Sequence, residues 1–168
     1  MPKTKADLIA ELDYAHDEMH RLLKDIDAQQ EIYPTWTAKE LISHMTGWDD
    51  GCIASLRAHV TGDVPSTPAA RGINPYNAST VHEREALSLD HVVREWELTR
   101  ETFKQLIQEL PDEKLNQPFV FPWGEKGTLE GMVQIFAEHE REHVAEIRQL
   151  KGLQSIEPSG SLADSLHE

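Results

Sequence analysis

Apolar residues recur three or four positions apart along four separate stretches of the chain, a periodicity that leaves little room for anything but amphipathic helices. The first stretch runs from Thr4 to Ile26, with Leu8, Leu12, Ala15, Met19, Leu22, Leu23 and Ile26 on one stripe. The second opens at Thr37, where Thr37 and Glu40 have the spacing of a capping box, and continues through Leu41, His44, Trp48, Cys52 and Leu56 to Gly62. The third starts at Ser88, with Asp90 in a first turn where the helix dipole favours an acid. It carries Val92, Trp96, Phe103, Leu106 and Leu110, and Pro111 stops it. The fourth opens at Thr128 and closes near Gly152. No stretch alternates convincingly as a strand would. The expected fold is all-α, a four-helix bundle over residues 1–151, followed at residues 152–168 by an acidic tail expected to be mobile or docked elsewhere.

Connection lengths select the topology. The link between the first two helices is short, whereas Thr61 to Leu87 is long, rich in Pro and Gly, and contains Asn74-Pro75-Tyr76-Asn77. Such a link can run the length of a bundle, so the second and third helices can point the same way, giving up-down-down-up order instead of simple alternation.

His139 and His143 stand four residues apart in the apolar stripe of the fourth helix, with Met132, Ile135, Phe136, Ile147 and Leu150 within about 80° of His139 around the axis. Two imidazoles in an apolar seam cost up to a few kcal/mol each unless their polar atoms are satisfied, and a divalent metal satisfies them well. Helical rise links this pair to the topology. His44 lies roughly 10 Å into the second helix, on a face shared with Leu41, Trp48, Gly51, Cys52 and Ser55, and in the crossover order His143 lies roughly 10 Å from the same end of the bundle. Simple alternation would instead put His143 about 22 Å and His139 about 16 Å from that end. The crossover therefore predicts His44, His139 and His143 in one layer, as ligands of a divalent ion. The alternative is a cluster that only hydrogen-bonds internally and to water, which predicts no metal dependence.

Other chemistry-bearing residues compete with this set. His139-Glu140-Arg141-Glu142-His143 matches the H-E-x-x-H of zinc proteases, in which the glutamate is the base. The extended motif would need Gly and His where Glu146 and Gln149 stand, and neither a downstream ligand nor a peptide-binding sheet is in view, so that reading is set aside. His16 and His20 reach the same layer but lie about 80° to 120° from the centre of their stripe, which reads as a half-exposed flank with cavity-lining roles left open. Glu146 is the acid nearest the histidine face and could orient a ring through its second nitrogen, while most of Glu138, Glu140 and Glu142 read as solvated surface with Arg141 and Arg148.

Composition narrows the partners. A net charge of −14 with scattered Lys and Arg opposes phosphate backbones and anionic membranes, so neither nucleic acid nor a membrane is expected as a partner. Without a basic leader or an apolar run of bilayer length, the protein is expected to be cytoplasmic. Its lone cysteine, Cys52, excludes an internal disulfide and reads as a packing residue.

Trp36-Thr37-Ala38-Lys39-Glu40-Leu41-Ile42-Ser43-His44 at the start of the second helix, with His139 and His143 in the fourth, resembles the DinB/YfiT-like four-helix bundles over residues 4 to 151. The resemblance implies one divalent ion, zinc or nickel, on the three histidine positions. It also implies a bundle that often forms a homodimer and, in some relatives, thiol-dependent transferase or isomerase activity. Pro2-Lys3-Thr4-Lys5-Ala6-Asp7-Leu8-Ile9, with Pro75-Tyr76-Asn77 and Phe121-Pro122-Trp123, is similar to the ClbS/DfsB branch, whose characterised member is a self-protection hydrolase and which generally lacks the metal histidines.

Three imidazoles would leave a coordination position open, as catalytic sites do. The expected site lies near one end of the bundle, beneath the long loop around Tyr76 and the Phe121 to Trp123 turn. The expected activity is that of a metal-dependent S-transferase or hydrolase on a small molecule such as a low-molecular-weight thiol. A non-catalytic, metal-stabilised ligand-binding or self-protection protein is the alternative.

Overall fold

Helix boundaries follow the caps. α1 (Lys5–Asp25) begins at Thr4, whose backbone N–H donates to Asp7 at 2.8 Å while its hydroxyl accepts from the Asp7 N–H at 3.1 Å. α2 (Ala38–Thr61) begins where Glu40 accepts from the Thr37 N–H at 2.8 Å, and it ends at Gly62 with φ +78°, the left-handed conformation glycine takes without strain. The computed structural model describes residues 1–153, so the expectation for the tail falls almost wholly outside the described residues.

The long link after α2 is not the plain loop its composition suggested. It holds α3 (Ile73–His82), which includes Asn74, Pro75, Tyr76 and Asn77. Pro75 sits in the first turn, where a missing N–H removes no intrahelical bond, so a residue read as a breaker is tolerated. α3 lies tightly on α2 at Gly47, where a Cβ would come within 2.4 Å of the Thr80 side chain. Asn77 accepts a hydrogen bond from the Trp48 indole at 2.9 Å, pinning the pair together. α4 (Leu89–Glu109) is capped by Ser88. β1 (Phe119–Val120) and β2 (Lys126–Gly127) then pair antiparallel ahead of α5 (Leu129–Leu150). Two-residue strands are too short for alternation to show in a sequence.

Contacts between the long helices give their directions. Glu18 meets Arg141 and Asp25 meets Arg148, so α1 and α5 run parallel. Lys39 reaches the Leu87 carbonyl ahead of α4 and Asp49 meets Arg100, so α2 and α4 also run parallel. Lys5 reaches the Leu110 carbonyl and His16 meets Glu97, so α1 and α4 are antiparallel. The long helices α1, α2, α4 and α5 thus stand in up-down-down-up order, as the length of the crossover implied. No helix among the described residues is long and apolar enough to cross a membrane.

A buried polar layer separates two apolar clusters, one around Leu12, Leu56, Phe103 and Phe136, the other around Met19, Leu41, Met45 and Ile147. At its centre Arg100 donates to Asp49 at 3.2 Å, to Glu140 at 2.6 Å and to the Leu12 carbonyl at 3.2 Å. Glu140 is therefore not a solvated acid: it is 0% exposed because the guanidinium lies opposite it. Arg148 is likewise buried, paired with Asp25 at 2.7 Å. Burial works against the Arg100 cation, yet Asp49 and Glu140 hold its pKa above the ordinary value. Burial pushes the Asp49 carboxyl up against the pull of Arg100. Cys52 is buried, which raises its thiol pKa and suits a packing residue. Breaking a buried ion cluster by removing one partner costs about 3–5 kcal/mol, so Arg100→Met is expected to lower the unfolding free energy by that amount in urea titrations. A loss below about 1 kcal/mol would mean that the two carboxylates are not ionised in the fold.

Candidate metal centre

The crossover brings the three expected histidines together between α2 and α5. One ring nitrogen from each of His44, His139 and His143 lies within 4.8 Å of the others. Ring centroids are 5.2 Å apart for His44 with either partner and 4.6 Å for His139 with His143. The Nε2 atoms of His139 and His143 face each other at 3.0 Å. Two nitrogens each about 2.1 Å from one ion stand about 3.0 Å apart at a right angle and about 3.4 Å apart at the tetrahedral angle, so the spacing fits a shared divalent ion. Nδ1 of His44 is buried and has no hydrogen-bond partner among the described residues.

Electrostatics keep the imidazoles neutral. Burial, then the proximity of His139 and His143, lowers the His44 pKa to about 3. Burial and His143 bring His139 down to about 4. Burial lowers His143 too, against the opposing pull of Glu146, Glu142 and Glu140. At neutral pH each therefore has one unprotonated ring nitrogen, and the 3.0 Å contact between His139 and His143 is a hydrogen bond that a metal would replace.

The short link between α1 and α2 orients this cluster. Trp36 N–H donates to the Tyr33 carbonyl at 2.9 Å, closing a turn with Pro34 second and Thr35 third. Thr35 has φ +69°, the left-handed position of a type II turn that favours Gly, so this β-branched residue stores about 1–2 kcal/mol of strain. The turn sets the Tyr33 hydroxyl 2.9 Å from His143 Nδ1 and the Trp36 ring 5.3 Å from His44. Burial and a hydrogen bond to Glu146 raise the Tyr33 pKa, keeping the phenol neutral. A consistent proton arrangement has His143 Nδ1–H donating to Tyr33 and Tyr33 O–H donating to Glu146, which leaves the Nε2 lone pair facing the cluster. Glu146 thus acts through Tyr33, a residue no sequence pattern marked.

A cavity of about 470 Å³ reaches His139. Its walls are apolar, with Trp48, Trp123, Phe136 and the exposed Ile73 and Ile135, and its rim is acidic, with Glu125, Glu138 and Glu142. No Lys or Arg is among the described residues that line it. Ile73 from α3 and Trp123 from the turn line it, whereas Tyr76, expected over the site, does not and packs on Trp48 with ring centroids 4.9 Å apart. Glu140 is bound to Arg100 in the core, so the glutamate of an H-E-x-x-H base is not available to the histidines. His16 is buried, not half-exposed, because its ring lies 3.9 Å from Trp96, whereas His20 is half-buried. Both face Glu97 in the seam between α1 and α4, away from the triad. Arg100 and Asp49 were missed as functional neighbours, although charges at core spacing beside Trp96 and Trp48 were a visible signal.

The chain belongs to the DinB superfamily, whose family model matches residues 29–147. No curated protein matches it in sequence. Among solved structures it is similar to the mycothiol-dependent maleylpyruvate isomerase, at 13% identity and a TM-score of 0.68 over 87% of this chain. The chain spans only 63% of that enzyme's length. It is also similar to the colibactin self-resistance protein ClbS, found in complex with a double-stranded DNA, at 15% identity and a TM-score of 0.74 over 92% of this chain and 99% of ClbS. YfiT from Bacillus subtilis, described as a probable metal-dependent hydrolase with an unusual four-helix bundle topology, matches at 16% identity and a TM-score of 0.66 over 89% of each chain. These likenesses establish the fold. The ClbS complex also removes support for excluding nucleic acid as a partner on net charge alone.

The lowered pKa values predict how the protein without a bound ion responds to acid. A histidine whose folded pKa lies below its ordinary 6.5 binds protons more readily when unfolded, so its contribution is intact above about 6.5 and is lost as pH falls toward about 4 and 3. Chelator-treated protein is expected to lose urea resistance across that window, and His44→Gln to flatten the dependence. An unchanged slope in the variant would assign the loss to other groups.

Proposed function

We propose that this DinB-superfamily protein is a metal-dependent enzyme acting on a small molecule, of the thiol S-transferase or hydrolase type, with one zinc or nickel ion held by His44, His139 and His143. The observation that carries the reading is three neutral imidazoles converging beside a cavity, one of them oriented from behind by Tyr33. A bound divalent ion would supply Lewis acidity toward a thiol, ester or amide group.

The chain's own residues do the rest. Tyr33 and Glu146 hold the His143 tautomer, and Trp36 and Trp48 shield the rings of His44 and His139 from water. Trp48, Trp123 and Ile135 receive the apolar body of a substrate, and Glu138 or Glu142 on the rim accepts the proton that a thiol or water releases. The acidic rim favours neutral or cationic substrates over anions.

A second reading is a non-catalytic, metal-stabilised protein that sequesters its ligand. The match over 99% of ClbS, a self-resistance protein, favours it. Metal removal that lowers thermal stability but spares ligand affinity, with no turnover, would select this reading.

Mass spectrometry of tag-free protein is expected to find a tightly held equivalent of metal that His44→Ala and His139→Ala both lose. Tyr33→Phe should weaken its affinity by about 10-fold while leaving the fold intact. Metal uptake unaffected by either histidine variant would overturn the assignment. Among esters and thiols of matched size, cationic members are expected to have lower KM than anionic ones at low salt, and a reversed order would remove the role given to the rim.

A further inference from the structure

We propose that His16, His20 and Glu97 form a second divalent-cation site in the seam between α1 and α4, across the bundle from the histidine triad. The i, i+4 arrangement of α5 recurs on α1. The rings of His16 and His20 are 4.8 Å apart at 78°, against 4.6 Å and 76° for His139 and His143. Both Nε2 atoms are directed at one carboxylate: His16 Nε2 lies 3.1 Å from Oε2 of Glu97, and His20 Nε2 contacts Oε1. One donor atom from each of the three residues falls within 4.8 Å of the others. Two imidazoles and a carboxylate are the donor set of open zinc sites and also suit cobalt, nickel and iron, whereas magnesium and calcium favour oxygen ligands alone.

The cluster is pre-organised and reachable. His16 rests against the Trp96 indole at 3.9 Å and His20 against the same ring at 4.8 Å, so neither imidazole needs ordering on binding. Burial, reinforced by Arg100 and opposed by Glu97, lowers the His16 pKa and frees its lone pair. The side chains of His20 and Glu97 remain 35% and 41% exposed. A cavity of about 490 Å³ adjoins His20 and admits the waters that complete a coordination shell. Lys24 and Arg94 on its wall oppose a cation, and Asp90 beside them offsets part of that charge.

The second site is weaker than the triad. When His16 Nε2 takes a metal, its proton moves to Nδ1, which is buried and has no hydrogen-bond partner among the described residues. His143 Nδ1 has Tyr33 in the same role. An outer partner of this kind is worth about 10–100-fold in metal affinity. His44 Nδ1 in the triad lacks one too, but Tyr33 stands behind His143, and Lys24 and Arg94 burden only the second site, so the triad fills first.

Cobalt(II) titration of chelator-treated, tag-free protein, read by visible absorption and equilibrium dialysis, tests this. Two equivalents are expected, the second about 10–100-fold weaker. His20→Asn and Glu97→Gln, both at partly exposed positions, should each keep the first equivalent and lose the second, while His139→Ala should keep the second and lose the first. Parent protein that, even at millimolar cobalt, takes up no metal that His20→Asn and Glu97→Gln remove overturns the proposal. The His139→Ala arm keeps that outcome separate from the fate of the triad.

Discussion

The guanidinium of Arg100 stands on α4 and touches the other three long helices at once, through the Leu12 carbonyl on α1, Asp49 on α2 and Glu140 on α5. A charge taken out of water tolerates little displacement of its partners, so sliding any helix by one turn, about 5.4 Å, would strand a carboxylate in the core. Glu140 stands in sequence between His139 and His143. Turning Glu140 toward Arg100 fixes the rotation of α5, and the histidine pair then has to face α2. Asp49, five positions after His44, does the same for α2. The ion cluster therefore sets the level and the facing at which three imidazoles meet, and although none of its residues lines the cavity, Arg100 lies 4.9 Å over the ring of Phe136 in the cavity wall.

The parts that finish the candidate centre come from outside the long helices. The turn from Tyr33 to Trp36 holds a threonine in the left-handed region and supplies both a hydroxyl behind His143 and an indole beside His44. Strain of that kind persists where surrounding packing over-determines the backbone, and here the same four residues also begin the approach to α2. On the opposite side, α3 and the turn before α5 contribute Ile73 and Trp123 to the lining of the cavity. The helices thus fix the ligand layer, and the connections define what surrounds it.

The same fold occurs in a thiol-dependent isomerase, a self-resistance protein and a protein described as a probable hydrolase, so architecture alone carries no reaction. The chemistry of this chain lies in side chains: an acidic rim around an apolar cavity on one edge of the bundle and, on the other, the His16, His20 and Glu97 cluster proposed as a weaker cation site. Trp96 packs against both imidazoles of that cluster, and the influence of Arg100 on His16 ties the two edges together electrostatically.

The four helices, the Thr37 and Glu40 cap, the crossover order and the meeting of His44 with His139 and His143 were all legible in the chain, because each follows from local spacing and helical rise. α3 was not, since a proline in a first turn has the same local signature as one in a loop. Glu140 was misread as solvated, because periodicity around one helix does not show which neighbour faces it. Tyr33 gave no signal, since its role depends on a hydrogen bond spanning 110 positions of sequence. Local spacing places most residues on the faces of their helices. Which faces meet is settled by packing, because burial of Arg100, closure of the Tyr33 turn and the seat of α3 on Gly47 are non-local contacts whose energy exists only once the helices have come together.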